Sequence, residues 1–196
     1  MLGHLLPHRC AGCDSPGRPL CAGCAAGLPP APDRPPPAGL DRCLALLAYR
    51  DPVPRLVLRT KNGGRHGALE PLGRAMGSML LRTGDGAPWV TWAPTTPARR
   101  RRRGYDHARL LARGVARSRG SRVVPMLRRR GGAQAGRSRE DRLAGPAFEP
   151  TRRLRGATVV LVDDVWTTGA TLTAAAHALR AAGAGRVVGL VLAVRP

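Results

Sequence analysis

The sequence predicts an α/β fold: a mostly parallel sheet flanked by helices, with a small cysteine-bearing module at its N-terminal end. Three observations lead there. Val159-Val160-Leu161-Val162 is an unbroken apolar run, fit for a strand buried on both faces. Thr173 to Ala182 reads as an alanine-rich helix ended by Gly183, and Arg186 to Val194 as a second buried strand, so the three make a βαβ unit. Far upstream, Cys10, Cys13, Cys21 and Cys24 form a C-x2-C-x7-C-x2-C pattern in a segment too small to bury a core of its own.

The cysteine segment comes first in the chain and spans 1–27. Each C-x2-C pair turns two thiolates toward one ion, and Gly12 and Gly23 ease the two turns. Four thiolates suit a closed, structural, tetrahedral Zn2+ site in a zinc-ribbon-like module, and metal binding would supply most of its folding energy. A disulfide pair or free thiols are the competing readings. Residues 28–40 place six prolines in thirteen positions and read as a stiff, extended linker. The main domain occupies 41–196. There, 43–49 reads as a strand, with Cys43 a core residue. Residues 52–60 and 66–82 read as helices broken at Asn62-Gly63-Gly64, and Trp89 to Ala93 as a strand stopped by Pro94. Leu110, Leu111, Val115 and Ala116 have helical spacing within 106–119. Val123-Val124 is a short strand. Residues 131–150 lack periodicity and read as a long loop or a partly ordered arm.

The chain of 196 residues carries a net charge of +21 with 43% hydrophobic residues, so it can bury a core and is no disordered polycation. Lys61 is the single lysine among 33 basic residues. Arginine, glycine and proline rising together match codon bias in a GC-rich genome, and a binding surface is the other explanation of the charge. Codon bias does not explain its clustering: residues 99–155 hold 19 arginines and four acids. The rings are few (Tyr49, Trp89, Trp92, Tyr105, Phe148 and Trp166), which disfavours a groove that grips single strands by stacking. No apolar run reaches the roughly 18 residues of a membrane span, and the N-terminal residues lack a secretory pattern. The expectation is a cytoplasmic protein without membrane insertion, its cysteines reduced or metal-bound.

The segment with chemistry is Val159 to Thr171. Asp163 and Asp164 follow directly on the buried strand, and Thr167-Thr168-Gly169-Ala170-Thr171 then opens a helix. Ligands of open α/β sheets bind beyond the carboxyl ends of strands. A helix's first turn offers backbone N–H groups and a positive dipole end, three hydroxyls add donors, and Gly169 admits close approach. That half suits a phosphate monoester. The two carboxylates suit a vicinal diol, whose hydroxyls donate to charged acceptors. A plain strand followed by a capped helix explains Thr168 or Thr171 as the cap, but not two adjacent carboxylates. A Walker A loop is excluded, since no Gly-x4-Gly-Lys-Ser/Thr occurs.

These thirteen residues resemble the phosphoribosyl pyrophosphate (PRPP) signature of the type I phosphoribosyltransferase fold. More of the chain is similar to one family within that fold, the ComF family of ComFC and GntX-like proteins, in which a four-cysteine zinc element precedes a phosphoribosyltransferase domain. The family's Arg-x2-Arg-Gly-Phe-Asn-Gln-Ala motif reads here Arg100 to Ala108, with Asp106-His107 in place of Asn-Gln. Its Gln and Leu-Ser-x2-Glu-Arg motif reads Gln134 to Arg142, and its Leu-Lys-aromatic motif reads Arg59 to Gly63.

The resemblance implies a type I phosphoribosyltransferase-like domain that binds PRPP and Mg2+ and transfers phosphoribosyl to an unnamed acceptor. Asp163, Asp164 and Arg103 would carry catalysis, and Thr167 to Thr171 would hold the 5-phosphate. A pyrophosphate loop after Ala93 would contain Thr95, Thr96 and the Arg99–Arg103 run. Lys61 would supply a compact positive charge, unless its being the one lysine is chance. Residues 131–150 would close as a hood, reaching in with Gln134, Arg137 and Arg142. No general base is visible. Trp166 would stack on an acceptor base or pack beneath the loop. The alternative is a non-catalytic accessory in competence and DNA uptake that tracks single-stranded DNA with its arginine-rich face. A competence helicase or other protein would be a partner under either reading.

Overall fold

The computed structural model describes residues 8–62, 64–82, 89–130 and 146–195. Its centre is a parallel sheet formed, among those residues, by β1 (Arg42–Ala48), β2 (Trp89–Trp92), β3 (Arg122–Val123), β6 (Thr158–Trp166) and β7 (Arg186–Val194), in the spatial order β1-β7-β6-β2-β3. Val160 lies beside Val188 on one flank and Val90 on the other, and Leu44 lies beside Leu190. The two remaining strands, β4 (Leu127–Arg130) and β5 (Ala147–Pro150), pair antiparallel as a separate ribbon.

A parallel sheet needs cover on both faces. The helices supplying it include α2 (Val53–Asn62), α3 (Leu69–Arg82), α5 (His107–Ser118) and α6 (Ala170–Ala181), with α1 (Ala22–Ala26) in the cysteine segment and α4 (Pro97–Arg103) before α5. The two-residue period of β6 divides its side chains between two cores. Val160 and Val162 join Leu56, Leu72, Met76 and Leu111 from α2, α3 and α5. Val159 and Leu161 join Leu172, Ala175 and Leu179 from α6. Helices α3 and α5 approach closely at glycines: a methyl on Gly114 would run into the Glu70 carbonyl oxygen and lie 2.8 Å from the Arg74 nitrogen.

The N-terminal residues are tied to this body. Ala11, fully buried, belongs to the same core as Leu56. The proline-rich stretch runs along β1, where the Ala31 amide donates to Leu46 O (3.2 Å) and the Ala48 amide to Pro29 O (3.0 Å). It thereby satisfies edge groups that β1 would otherwise leave open. No helix among the described residues is long and apolar enough to cross a membrane.

Four expectations need correction. The Arg99–Arg103 run is not loop but most of α4. Thr96 caps this helix by accepting from the Arg99 amide (3.3 Å), Pro97 takes the first turn, and Gly104 closes it at φ 79°. Strand β6 does not stop before the acids but continues through Trp166, because Asp163, Val165 and Trp166 still pair with Val191, Ala193 and Val194 of β7. Helix α6 starts at Ala170 rather than Thr173, since Gly169 at φ 83° turns the chain straight into it. Of the expected arm at 131–150, Ala147–Pro150 is strand, held by its ladder to β4, and 131–145 lies outside the described residues.

Candidate active site and four-cysteine cluster

Near the carboxyl end of β6 the two acids stand in different surroundings. Asp163 is 8% exposed and its Oδ1 accepts from the Asp164 amide at 2.8 Å. Asp164 Oδ1 accepts from the Val165 amide at 2.6 Å. Its other oxygen, Oδ2, meets Lys61 Nζ from the end of α2 at 2.5 Å and His107 Nδ1 from the start of α5 at 3.3 Å. Burial, then the neighbouring Asp164 charge, raise the Asp163 carboxyl well above its ordinary range. Burial also pushes Asp164 up, but His107 and Lys61 outweigh it and hold that carboxyl far below the usual value. The two carboxyls titrate as a coupled pair, with Asp164 the more readily ionised of the two.

Two further groups join the acids to the rest of the site. His107 is 3% exposed, and its Nε2 lies 2.9 Å from Thr60 Oγ1 of α2. Asp106 caps α5 by accepting from the Arg109 amide (3.3 Å), and its second oxygen accepts from the Thr95 amide (2.9 Å) and Trp92 Nε1 (3.3 Å). One buried carboxylate thus fastens the end of β2 to the start of α5.

A cavity of about 140 Å3 opens here, lined by Lys61, Thr95, Arg99, Arg103, His107, Asp163, Asp164 and Thr171 among others. Arg99 and Arg103 both reach it because residues four apart share one face of a helix. Arg100 and Arg102 line other cavities. Among the described residues Arg103 Nε is buried without a hydrogen-bond partner, a donor that an anionic ligand would satisfy. Arg129, on β4, lines the same cavity. A small cleft of about 20 Å3 adjoins it at Thr167, Thr168, Gly169, Ala170 and Thr171, and Asp163 and Thr171 border both spaces. The Thr168 hydroxyl accepts from the Ala170 amide at 3.4 Å. Trp166, 5% exposed, packs beneath this turn with the Arg34 guanidinium 4.8 Å from its ring centre.

The structure thus gathers Asp163, Asp164, Lys61, Thr95, Arg103 and Thr171, with Thr167 to Ala170 adjoining. Thr96 is instead occupied as the cap of α4. Gln134, Arg137 and Arg142 lie outside the described residues. Sequence reasoning passed over His107, Asp106 and Arg129 as site residues. For the first two, the available signal was an Asp-His pair opening a helix just after the arginine run.

At the other end of the chain, the four cysteine sulfurs lie within 4.8 Å of one another. The amides of Gly12 and Cys21 donate to Cys10 Sγ at 3.3 and 3.4 Å, and the Cys24 amide donates to Cys21 Sγ at 3.5 Å. Burial opposes ionisation of Cys10, but these backbone donors outweigh it and bring the thiol down to about 6. Crowding by Cys21 and Cys13 pushes Cys24 up to about 12. Four sulfurs so close cannot all ionise without a cation among them, and a soft tetrahedral ion fits. A side chain at position 12 would crowd them, since its Cβ would lie 2.6 Å from Cys24 Sγ. Cys43 stands apart in the core, its thiol pushed up to about 12 by burial.

Residues 107–196 match the family model for the phosphoribosyl transferase domain. The matched segment begins at His107 and includes α5, β6, the threonine turn and β7. No curated protein matches the chain significantly. A solved structure titled as the allosteric regulatory enzyme of purine biosynthesis is 25% identical with a TM-score of 0.47, covering 65% of this chain and 26% of that one. The chain thus spans about a quarter of that structure's length.

Proposed function

We propose that the chain is a ComF-like protein whose phosphoribosyltransferase domain (41–196) binds PRPP with Mg2+ and transfers its phosphoribosyl group to an acceptor. The zinc module (1–27) and proline-rich linker (28–40) complete the chain. The observation that supports this most is the shared boundary at Asp163 and Thr171. The carboxylate pair and threonine turn there adjoin a cavity whose other walls carry Lys61, Arg99 and Arg103.

In this reading, Thr167 to Thr171 hold the 5-phosphate with hydroxyls and first-turn amides. Asp163 and Asp164 take the ribose 2- and 3-hydroxyls. Arg103, Arg99, Lys61 and Thr95 face the pyrophosphate. The bond from C1 to the pyrophosphate oxygen breaks, with the electron pair leaving on that oxygen. The acceptor's lone pair closes on C1 and the acceptor gives up its proton to solvent water. The charge on Asp164 stabilises the positive ring, and the arginine fork takes the leaving charge. The oxygen donors of Asp163 and Asp164 suit Mg2+, which when bound would neutralise part of the pyrophosphate charge. Zn2+ at Cys10, Cys13, Cys21 and Cys24 would be structural. The reaction would run in the cytoplasm.

Calorimetric titration with PRPP and Mg2+ tests the reading. The wild type should bind and Asp164→Asn should bind at least about tenfold more weakly, a loss of roughly 1.4 kcal/mol. A wild type that takes up no PRPP sinks the proposal. Pyrophosphate release with a suitable nucleophile should disappear in Asp163→Asn. A second reading, an accessory that binds single-stranded DNA during uptake, draws on the exposed Arg100, Arg101 and Arg102 of α4. It predicts affinity falling steeply with salt, and a flat salt response removes it. A helicase or other protein could dock on the cysteine module in either case.

A further inference from the structure

The last turn of α2 touches both the cysteine cluster and the carboxylate pair. Successive residues of a helix turn by about 100°, so positions two apart point to nearly opposite sides. Arg59 and Lys61 stand in that relation. On one side, Arg59 Nη1 donates to the carbonyl oxygens of Ala11 (3.3 Å) and Gly12, the backbone between Cys10 and Cys13. Just past the helix, Arg65 grips Asp14 Oδ1 through Nε (2.9 Å) and Nη2 (2.7 Å). The Asp14 amide in turn donates to Cys10 O at 2.9 Å. Two arginines therefore hold the first C-x2-C turn from outside.

On the other side, Lys61 Nζ sits 2.5 Å from Asp164 Oδ2. Between the two side chains, fully buried Thr60 faces His107 Nε2 (2.9 Å), and its carbonyl accepts from the Tyr105 hydroxyl. The helix end is thus gripped by the cysteine turn on one flank and the site on the other. A clamp on carbonyl oxygens depends on the path of the backbone. That path is set at a four-thiol turn only when the sulfurs gather on an ion.

We propose that Arg59 is a positioning residue that relays the order of the Cys10–Cys13 turn to Lys61. A filled cysteine cluster thereby strengthens uptake of the anionic ribose ligand at the carboxylate pair. The proposal rests on the PRPP reading above. Linkage makes the effect reciprocal, so PRPP should also hold the cluster's metal more firmly.

The test is a double-mutant cycle on the zinc-loaded full chain, titrated with PRPP and Mg2+ by calorimetry. Arg59→Met should keep one zinc per chain and a cooperative melt, yet bind PRPP about tenfold more weakly. Combined with Lys61→Met, it should weaken binding no further than Lys61→Met alone, because both act through one charge. Unchanged affinity in Arg59→Met, or additive losses in the double variant, overturns the relay while leaving PRPP binding intact. A wild type that takes no PRPP overturns that reading, and the relay with it. If Arg59→Met does not fold, the rate at which a chromogenic chelator strips zinc supplies the second measurement. Saturating PRPP should slow stripping several-fold in the wild type but not in Lys61→Met, and an unchanged wild-type rate overturns the relay.

Discussion

Asp163 and Asp164 are adjacent in the chain, and their surroundings shift them in opposite directions. His107 and Lys61 draw the Asp164 carboxyl far down, whereas burial and its charged neighbour push the Asp163 carboxyl well up. The consequences for stability have opposite signs. A carboxyl raised on folding contributes stability below its ordinary range and loses it as pH rises through the raised value. A lowered one contributes above the ordinary range and loses it as pH falls. The wild type should therefore lose melting temperature as pH climbs through the raised range of Asp163. Asp163→Asn should flatten that limb and melt a few degrees higher above the raised range, since 1 kcal/mol is worth about 2–4 °C at this size. The same substitution should abolish PRPP turnover. Thermal melts at pH values climbing from the ordinary carboxylate range decide it: a wild-type limb that persists in Asp163→Asn refutes the assignment.

Among the elements, α4 is short, exposed and arginine-rich, so its caps rather than burial must hold it. Removing the hydroxyl in Thr96→Ala should cost about 1 kcal/mol locally. Amide exchange from Arg99 to Gly104 should speed several-fold with little change in global melting. PRPP affinity should fall as well, because Arg99 and Arg103 share the helix face that reaches the cavity. The α3–α5 contact tests the opposite regime, where packing dominates. Gly114→Ala forces a methyl against the Glu70 carbonyl, and overpacking of this kind costs about 1–3 kcal/mol. Urea denaturation should show a lower midpoint at unchanged slope. The α4 caps, Thr-Pro before the arginines and Gly after them, stand in the sequence, yet the run reads there as part of a loop because it has no apolar face to mark a helix. The β4–β5 ribbon was not legible either, because its strands are separated in sequence and alternate no apolar face.

Over the whole molecule, the cysteine module is bolted to the domain by Arg59, Arg65 and buried Ala11. Cobalt substituted at the cluster should give the intense thiolate-to-metal absorption of a tetrahedral four-sulfur site, lost in Cys13→Ser. A spectrum with fewer than four sulfurs counts against the assignment. Stripping the metal should loosen the α2 surface as well as the module, seen as faster amide exchange at Val57 and Thr60.

Local pattern determined a large share of this protein. The uninterrupted apolar runs at 159–162 and 186–194, with an alanine-rich helix between them, specify a buried parallel βαβ unit whatever surrounds them. The cysteine spacing specifies a four-sulfur turn, and the acid pair before Thr167 to Thr171 marks the segment proposed to take a diol and a phosphate. Each of these is a short-range property of consecutive residues. Only the tertiary structure decided that Lys61 and His107, 46 residues apart, meet on one oxygen of Asp164. It likewise decided that Arg59, two positions before that lysine, clamps the cysteine turn. Those meetings depend on the crossing of α2, α5 and β6, and no periodicity in the sequence encodes the angle at which separate elements pack.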